Sequence, residues 1–296
     1  MRVAAIFGPG CSTADLRPFQ ANAQSHWIIG VPARSDEADA ILVFGGDGTL
    51  HRHLPQLSKL QLPVLVVPSG SGNDFARALV LRRVRDSLTA WRRFSSAGKN
   101  VRDIDLGLIT PLIAGGNAGE VSAPHELHLF CCAGGIGLDA EIARRANLLP
   151  RWLRAHGGYA FSLPPALLKF APVAARIAMV SGEAFVSAPM KRIMVAAFAN
   201  APTYGGGMKI APQARLDDGR LDICIVSDIN KFALVCLFPT IYFGRHLRIP
   251  QVAYCQTERL RIETDSPTDV YADGEYVCRT PVEIGVVRKG LRVIIP

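Results

Sequence analysis

Ala40-Ile41-Leu42-Val43-Phe44 runs directly into Gly45-Gly46-Asp47-Gly48-Thr49-Leu50. A little further on, Leu62-Pro63-Val64-Leu65-Val66-Val67 runs into Pro68-Ser69-Gly70-Ser71-Gly72-Asn73-Asp74-Phe75-Ala76-Arg77. A short unbroken apolar run bounded by turn residues reads as a strand buried on both faces, as in a parallel sheet. Each run ends in a loop of glycines, a hydroxyl residue and an aspartate. Two such turns, close in sequence, can sit side by side at the C-terminal edge of an open α/β sheet, where such sheets bind ligands.

The chain outside this stretch has an ordinary globular composition. Of its 296 residues, 49% are hydrophobic and 20% charged, which leaves ample apolar surface for a core and excludes a disordered chain. The formal charge of +8 favours anionic partners. Arginines cluster in Leu81–Arg93 and Arg144–Arg154, where solvated helix faces account for such runs more often than a binding surface does. No zinc-finger or aromatic RNA-binding signature occurs, so nucleic acid is not an expected partner. The seven cysteines include one adjacent pair, Cys131-Cys132, but no CxxC spacing. They read as free thiols of a reducing cytoplasm. The apolar part of the N-terminus is too short for a signal peptide and reads as a first strand. No apolar segment reaches the ~18 residues a spanning helix needs; the nearest, Phe232–Gly244, contains Pro239. The expectation is a soluble cytoplasmic protein, with contact at the inner membrane face left open.

Along the chain, Val3–Phe7 reads as a strand ending in Gly8-Pro9-Gly10, followed by a helix near Thr13–Ala23 and a short apolar Trp27–Val31. Leu50–Leu60 is the helix opened by the first glycine loop. Asn73–Ala90 is the one opened by the second, with Phe75, Leu79 and Leu88 at helical spacing. Strands alternating with helices argue for a parallel α/β domain. Near Asp103 the texture changes to short alternating strands separated by glycine and proline turns, as in an antiparallel sandwich or barrel. Two helical stretches interrupt it: Asn230–Gly244, and Asp139–Phe170, which Pro150, Pro164 and Pro165 are expected to break.

Gly45, Gly46, Asp47, Gly48 and Thr49 form a loop whose backbone amides can approach an anion, at a helix N-terminus that favours phosphate. Asp47 in such a loop would repel phosphate unless a cation lay between them, and carboxylate beside phosphate suggests Mg²⁺. Alone, a Gly-Asp-Gly is a tight turn with a capping aspartate; the preceding strand and the similar second loop favour the phosphate reading. That second loop, Gly70, Ser71, Gly72, Asn73 and Asp74, is not a Walker A loop, since no Gly-Lys-Ser/Thr follows. Nor is it a nucleophile elbow, because Ser69 stands where glycine is required. His125-Glu126 lacks the second histidine of a zinc helix.

GGDGT and PSGSGNDFAR are followed in order by IDLG, AGGIGLDAE, GGGMKIAPQARLDDGRLDICIV and ADGE. Together, from Gly45 to Glu275, they resemble the diacylglycerol kinase catalytic family, which includes bacterial lipid kinases and the sphingosine and ceramide kinases. The resemblance implies α/β plus all-β architecture: an N-terminal three-layer α/β domain, 1–106, and a C-terminal β-sandwich, 107–283. The last strand, near 284–296, would return to the first domain. It also implies ATP-dependent phosphorylation of a lipid hydroxyl with Mg²⁺. On the matching positions, the two glycine loops contact nucleotide, and Asp47, Asp74 and Asp105 surround the catalytic Mg²⁺. Glu275, within Asp273-Gly274-Glu275, is the general base. Asp218, flanked by the carbonyls of Arg215 and Arg220, ligates a structural Mg²⁺. Taken alone, Asp273-Gly274-Glu275 is only a hairpin turn, and Asp105 a strand-end residue.

Three positions depart from the family pattern. His51-Arg52 replace the usual Asn-Glu, the first loop reads Gly8-Pro9-Gly10-Cys11-Ser12 without lysine, and the segment before GGDGT is short. His51 and Arg52 could supply positive charge to a triphosphate. In Leu148–Phe170, Leu148, Leu149, Trp152 and Leu153 lie among Arg144, Arg145, Arg151 and Arg154, with Tyr159, Phe161 and Lys169 beyond. That pattern suits an interfacial helix on anionic membrane, or ordinary packing. The readings carried forward are a lipid kinase working at an anionic membrane surface, an impaired lipid- or nucleotide-binding regulator, and an NAD kinase, which shares the GGDGT loop. A homodimer is left open.

Overall fold

A computed structural model of the chain describes residues 1–21, 25–112, 128–149, 158–181 and 184–296. Strands β1 (Arg2–Phe7), β2 (His26–Ile29), β3 (Ala40–Gly45) and β4 (Val64–Pro68) form a parallel sheet in the order β2-β1-β3-β4. Every residue of β3 and β4 is buried, which is why both read as unbroken apolar runs. Helix α1 (Arg17–Gln20) is a single turn after a 3₁₀ turn at Thr13–Leu16. Helix α2 (Asp47–Leu60) seats Leu50, Leu54 and Leu57 in the core.

The expected helix Asn73–Ala90 is two helices, α3 (Asp74–Ala78) and α4 (Val84–Ala97). Leu79 and Leu81 are both drawn into the core, and Val80 between them takes φ +64°, a left-handed conformation that ends a right-handed helix. Phe75 and Leu79 are buried as their spacing predicts, but Leu88 packs from α4.

Beyond β5 (Val101–Pro111) the described strands pair antiparallel with one another. They are β6 (His128–Phe130), β7 (Ala133–Gly137), β8 (Val173–Ser181), β9 (Ala184–Ser187), β10 (Lys191–Ala199), β11 (Leu221–Ser227), β12 (Val252–Thr257), β13 (Arg259–Thr264), β14 (Asp269–Ala272), β15 (Glu275–Arg279) and β16 (Val282–Ile294). β12 and β15 lie outside the strands read from sequence. β16 pairs with β5 along its length and with β13, then meets β4 in parallel at Val293 and Val64. Its two halves serve two cores. Leu291, Val293 and Ile294 pack with β1, β3 and β4, while Val282 and Ile284 pack with Phe130, Phe198, Ile223 and Leu260.

Helix α5 (Leu138–Leu148) packs against α6 (Gly158–Lys169), and α7 (Lys231–Leu237) leads into a 3₁₀ turn, Phe238–Phe243. The stretch Asp139–Phe170 thus falls into separate helices, as its prolines predict, although Pro164 and Pro165 themselves lie inside α6 without breaking it. Burial of Leu163, Ala166 and Leu167 against Leu138, Ile142 and Met194 offsets the two missing backbone donors. Among the described residues no helix is long and apolar enough to cross a membrane. All seven cysteines are free. Trp152, Leu153, Arg151 and Arg154 lie outside the described residues, so the interfacial reading of that segment rests on α5 and α6 alone.

Candidate active site

The parallel register sets Gly45 opposite Pro68, so the loops after β3 and β4 leave the sheet together. Ser69 N–H donates to the Gly45 carbonyl at 3.0 Å. A Cβ at Gly70 would stand 2.4 Å from the Gly46 Cα, so only glycine permits this approach. Asn73 takes φ +53° and closes the second loop, accepting from Gly70 N–H at 2.9 Å and donating to the Gly70 carbonyl at 2.7 Å.

The Asp47 carboxylate bridges the loops. It accepts from the Asp74 and Phe75 N–H groups at 3.0 and 3.1 Å, capping α3 from the other loop. Asp74, itself buried, accepts from Gly206 N–H at 2.7 Å and from Arg77 Nη1 at 2.5 Å. Burial and the neighbouring Asp74 charge push Asp47 up to about 6. Burial likewise raises Asp74, against the pull of the Gly206 amide and Arg77.

Facing these loops is the β14–β15 hairpin. Its turn residues Asp273 and Gly274 have φ +49° and +84°, positive at both positions as the tightest hairpin turns require, and Asp-Gly suits that geometry. The Asp273 side chain is fully buried. It accepts from the Cys131 and Cys132 N–H groups, both at 2.8 Å, and from His51 Nδ1 at 3.3 Å. Asn147, near the end of α5, donates to the Gly274 carbonyl at 2.6 Å. Glu275 follows this clamped turn. Its Oε1 lies 3.1 Å from where a Gly48 Cβ would stand, and its carboxylate has no hydrogen-bond or ion-pair partner among the described residues.

Between the loops and the hairpin lies a cleft of about 730 Å³, within the range of small-molecule sites. Residues 46–49 and 70–72 line it, as do Asp74, Asp273, Glu275 and Arg52. Gly45 and Asn73 stand behind, shaping the loops. The structure therefore brings together most of the residues singled out from sequence, but not Asp105. That carboxylate is buried outside the cleft, accepting from Gly219 N–H at 2.7 Å and Lys289 N–H at 2.8 Å. It braces the DDGR turn and β16. Asp218 lies on that turn, accepting from Arg220 N–H at 3.1 Å, while Arg215 and Arg102 reach Asp217 at 3.9 and 2.5 Å.

His51 and Arg52, expected to act together on a phosphate, diverge. Arg52 lines the cleft and His51 turns to Asp273. Burial alone would lower the His51 pKa, but the Asp273 hydrogen bond and charge, with the Glu275 charge, raise it above the ordinary 6.5. Burial would raise Asp273, but His51 and the two cysteine amides hold it below 3.8. A raised histidine contributes stability below the unfolded histidine value and loses it as pH rises through the folded one. A depressed aspartate contributes above 3.8 and loses it toward stronger acid. The pair is thus strongest between about pH 4 and 6.5. His51→Asn is expected to cost about 1.5–3 kcal/mol at pH 5.5, the scale of a charged hydrogen bond, and distinctly less at pH 9. Urea melts at the two pH values check it; an equal cost at both would refute the charge pairing.

Sequence reading missed Gly206, Asn147, Tyr204, Tyr242 and Cys132 as cleft residues. The run Gly205-Gly206-Gly207 was the one available signal, because consecutive glycines mark close backbone approach. Cys131 and Cys132 place their sulfurs near the Asp273 carboxylate. Burial raises the Cys131 thiol to about 12, and the Cys131 contact with burial raises Cys132 as well, so neither sulfur offers a thiolate and these groups serve packing rather than metal. The set fit for a hard cation is Asp47 with Asp74: two oxygen donors whose Oδ2 atoms lie 2.9 and 3.4 Å from where a Gly72 Cβ would stand, at the mouth of a phosphate-sized loop pair.

Comparison with known proteins agrees with this geometry. The diacylglycerol kinase catalytic domain family matches residues 14–109, and the YegS C-terminal NAD kinase beta sandwich-like domain matches residues 134–295. A diacylglycerol kinase of Mycobacterium tuberculosis is 29% identical over 259 residues, covering 87% of this chain and 77% of its own length. A diacylglycerol kinase of Bacillus subtilis is 26% identical, covering 88% and 78%. The crystal structure of a diacylglycerol kinase from Bacillus anthracis superposes with a TM-score of 0.67 over 100% of this chain and 97% of its own, at 18% identity. That of an Archaeoglobus fulgidus NAD kinase in complex with ATP gives 0.55 at 12% identity, covering 99% and 93%. The fold is that of the NAD kinase and diacylglycerol kinase class, an α/β layer joined to a β-sandwich. Within that class, the chain belongs to the diacylglycerol kinase catalytic-domain family of lipid kinases, with the YegS-type C-terminal domain.

Proposed function

We propose that this chain transfers the γ-phosphate of ATP to a hydroxyl of diacylglycerol or a closely related lipid. The observation that carries this is the Glu275 carboxylate, without a hydrogen-bond or ion-pair partner among the described residues, held over Gly48 across a cleft from the Asp47–Asp74 pair. The glycine loops offer backbone amides and the start of α2 to phosphate oxygens, and Arg52 and Arg77 add positive charge at the same wall. Asp47 and Asp74 would hold Mg²⁺, which neutralises phosphate charge when bound. The lipid hydroxyl oxygen attacks the γ-phosphorus as the bond to the β–γ bridging oxygen breaks. ADP leaves with that electron pair, and the hydroxyl proton passes to Glu275. Asp273 and Asn147 keep the turn, and with it Glu275, in place.

The test is transfer of labelled γ-phosphate from ATP to a lipid extract, with Glu275→Ala alongside. Labelled diacylglycerol product from wild type alone supports the reading. Equal labelling by both proteins favours a regulator that binds without turning over, and labelled NADP formed from NAD favours an NAD kinase. Arg52→Glu is expected to weaken nucleotide binding by more than an exposed control such as Arg34→Glu, read by titration calorimetry. An equal effect would remove Arg52 from the nucleotide wall.

A further inference from the structure

Helix α7, Lys231-Phe232-Ala233-Leu234-Val235-Cys236-Leu237, is apolar at every position but its first, yet none of its residues is buried. Leu234 and Phe238 rest on the cluster formed by Leu138, Ile142 and Leu163. The opposite side is left to solvent, with Phe232 77% exposed. Beside it, α6 exposes Phe161 and Leu168, and Lys231 Nζ donates to the Leu168 carbonyl at 3.2 Å, tying the two helices together. The following 3₁₀ turn exposes Phe243, while its neighbour Tyr242 lines the catalytic cleft and packs edge-on against Phe238. One apolar surface therefore starts at the cleft mouth and runs across α7 to α6. An exposed patch of large side chains that leads into a site calls for an occupant.

Charge decides which. From Lys231 to Arg248 the sequence contains no aspartate or glutamate, and Lys231, Arg245 and Arg248 are all exposed. Residues 142–182, which include α6, also lack any acidic side chain. A second copy of the chain would bring the same basic rim against itself and be repelled. A neutral apolar partner would make no use of the cations. The flanking carboxylates Glu141, Asp228 and Asp269 are ion-paired with Arg144 and Arg145, Arg192 and Arg279, so exposed aromatics beside Lys231, Arg245 and Arg248 fit the interface of a bilayer containing anionic phospholipid. We propose that the face built by α7, the Phe238–Phe243 turn and α6 docks on such a bilayer and sets the cleft mouth against it. The choice of partner deepens the lipid kinase reading, while the docking itself rests only on this surface.

The full chain is floated with vesicles of phosphatidylcholine alone and of phosphatidylcholine with phosphatidylglycerol. Binding to the mixed vesicles, weakened by added salt, is expected for wild type. The double variant Phe232→Glu/Leu168→Glu should lose at least about tenfold in partition coefficient, whereas Val186→Glu, at an exposed apolar position on β9, should not. Both variants alter exposed side chains, and transfer to a micelle-dispersed acceptor should match wild type, which separates docking from catalysis. Cys236 is the exposed cysteine, and an environment-sensitive dye on it should shift to the blue on binding. Equal partition of wild type and the double variant overturns the proposal even if the kinase reading holds. So does sedimentation as a dimer that the double variant disrupts, which would give the face to a second copy. Flotation as proposed, with no lipid phosphorylation, would leave the docking standing and the kinase reading refuted.

Discussion

Glu275→Gln is expected to lower kcat by about 10²–10⁴-fold, the range a positioned proton acceptor supplies, with nucleotide affinity and unfolding midpoint close to wild type. Glu275 is exposed and has no hydrogen-bond or ion-pair partner among the described residues, so its removal costs the fold little. It stands over Gly48, where a bound phosphate and an incoming hydroxyl would meet. Glutamine keeps size and reach but cannot take a proton. Single-turnover transfer of labelled phosphate, with titration calorimetry for ATP, separates the contributions. A loss confined to KM for the lipid would make Glu275 a binding group, and an unchanged kcat would place the base elsewhere.

The two glycine loops were legible in the sequence because their constraint is local. Backbones that approach as closely as Gly46 and Gly70 leave no room for a Cβ, and a strand buried on both faces must be apolar throughout. The Asp-Gly turn was legible for the same reason: its positive φ values restrict the residue types it admits. The partners of the carboxylates were not. Asp47 caps α3, Asp74 is held by Gly206, and Asp105 braces Gly219 and Lys289, all through backbone amides that carry no side-chain signature. An aspartate beside a glycine turn reads as a metal ligand in sequence whether its oxygens face the cleft or an amide. The break at Val80 was hidden because helical spacing continues through Leu79. The pairing of His51 with Asp273 crosses from the α/β layer to the far hairpin, and in sequence it showed only as a departure from a family pattern.

That pairing underlies the second large effect. Asp273→Ala is expected to cost about 3–5 kcal/mol of stability, the scale of removing one partner from a buried charged pair. It leaves the Cys131 and Cys132 amides without an acceptor and a histidine facing no anion. Because Asp273 sits at φ +49°, part of any loss could be backbone strain in alanine rather than loss of the carboxylate. Asp273→Gly tests this directly, since glycine accepts that conformation. It should recover only the ~1–2 kcal/mol of left-handed strain and leave most of the deficit. Asp273→Asn keeps shape and conformation but turns one acceptor into a donor facing an amide, so it too should remain well below wild type. Where the variants are folded, kcat should fall with little change in ATP affinity. The glycine loops do not depend on Asp273, but the position of Glu275, two residues on, does. Full recovery in Asp273→Gly, of stability and kcat together, would show that turn conformation rather than the buried carboxylate positions the base.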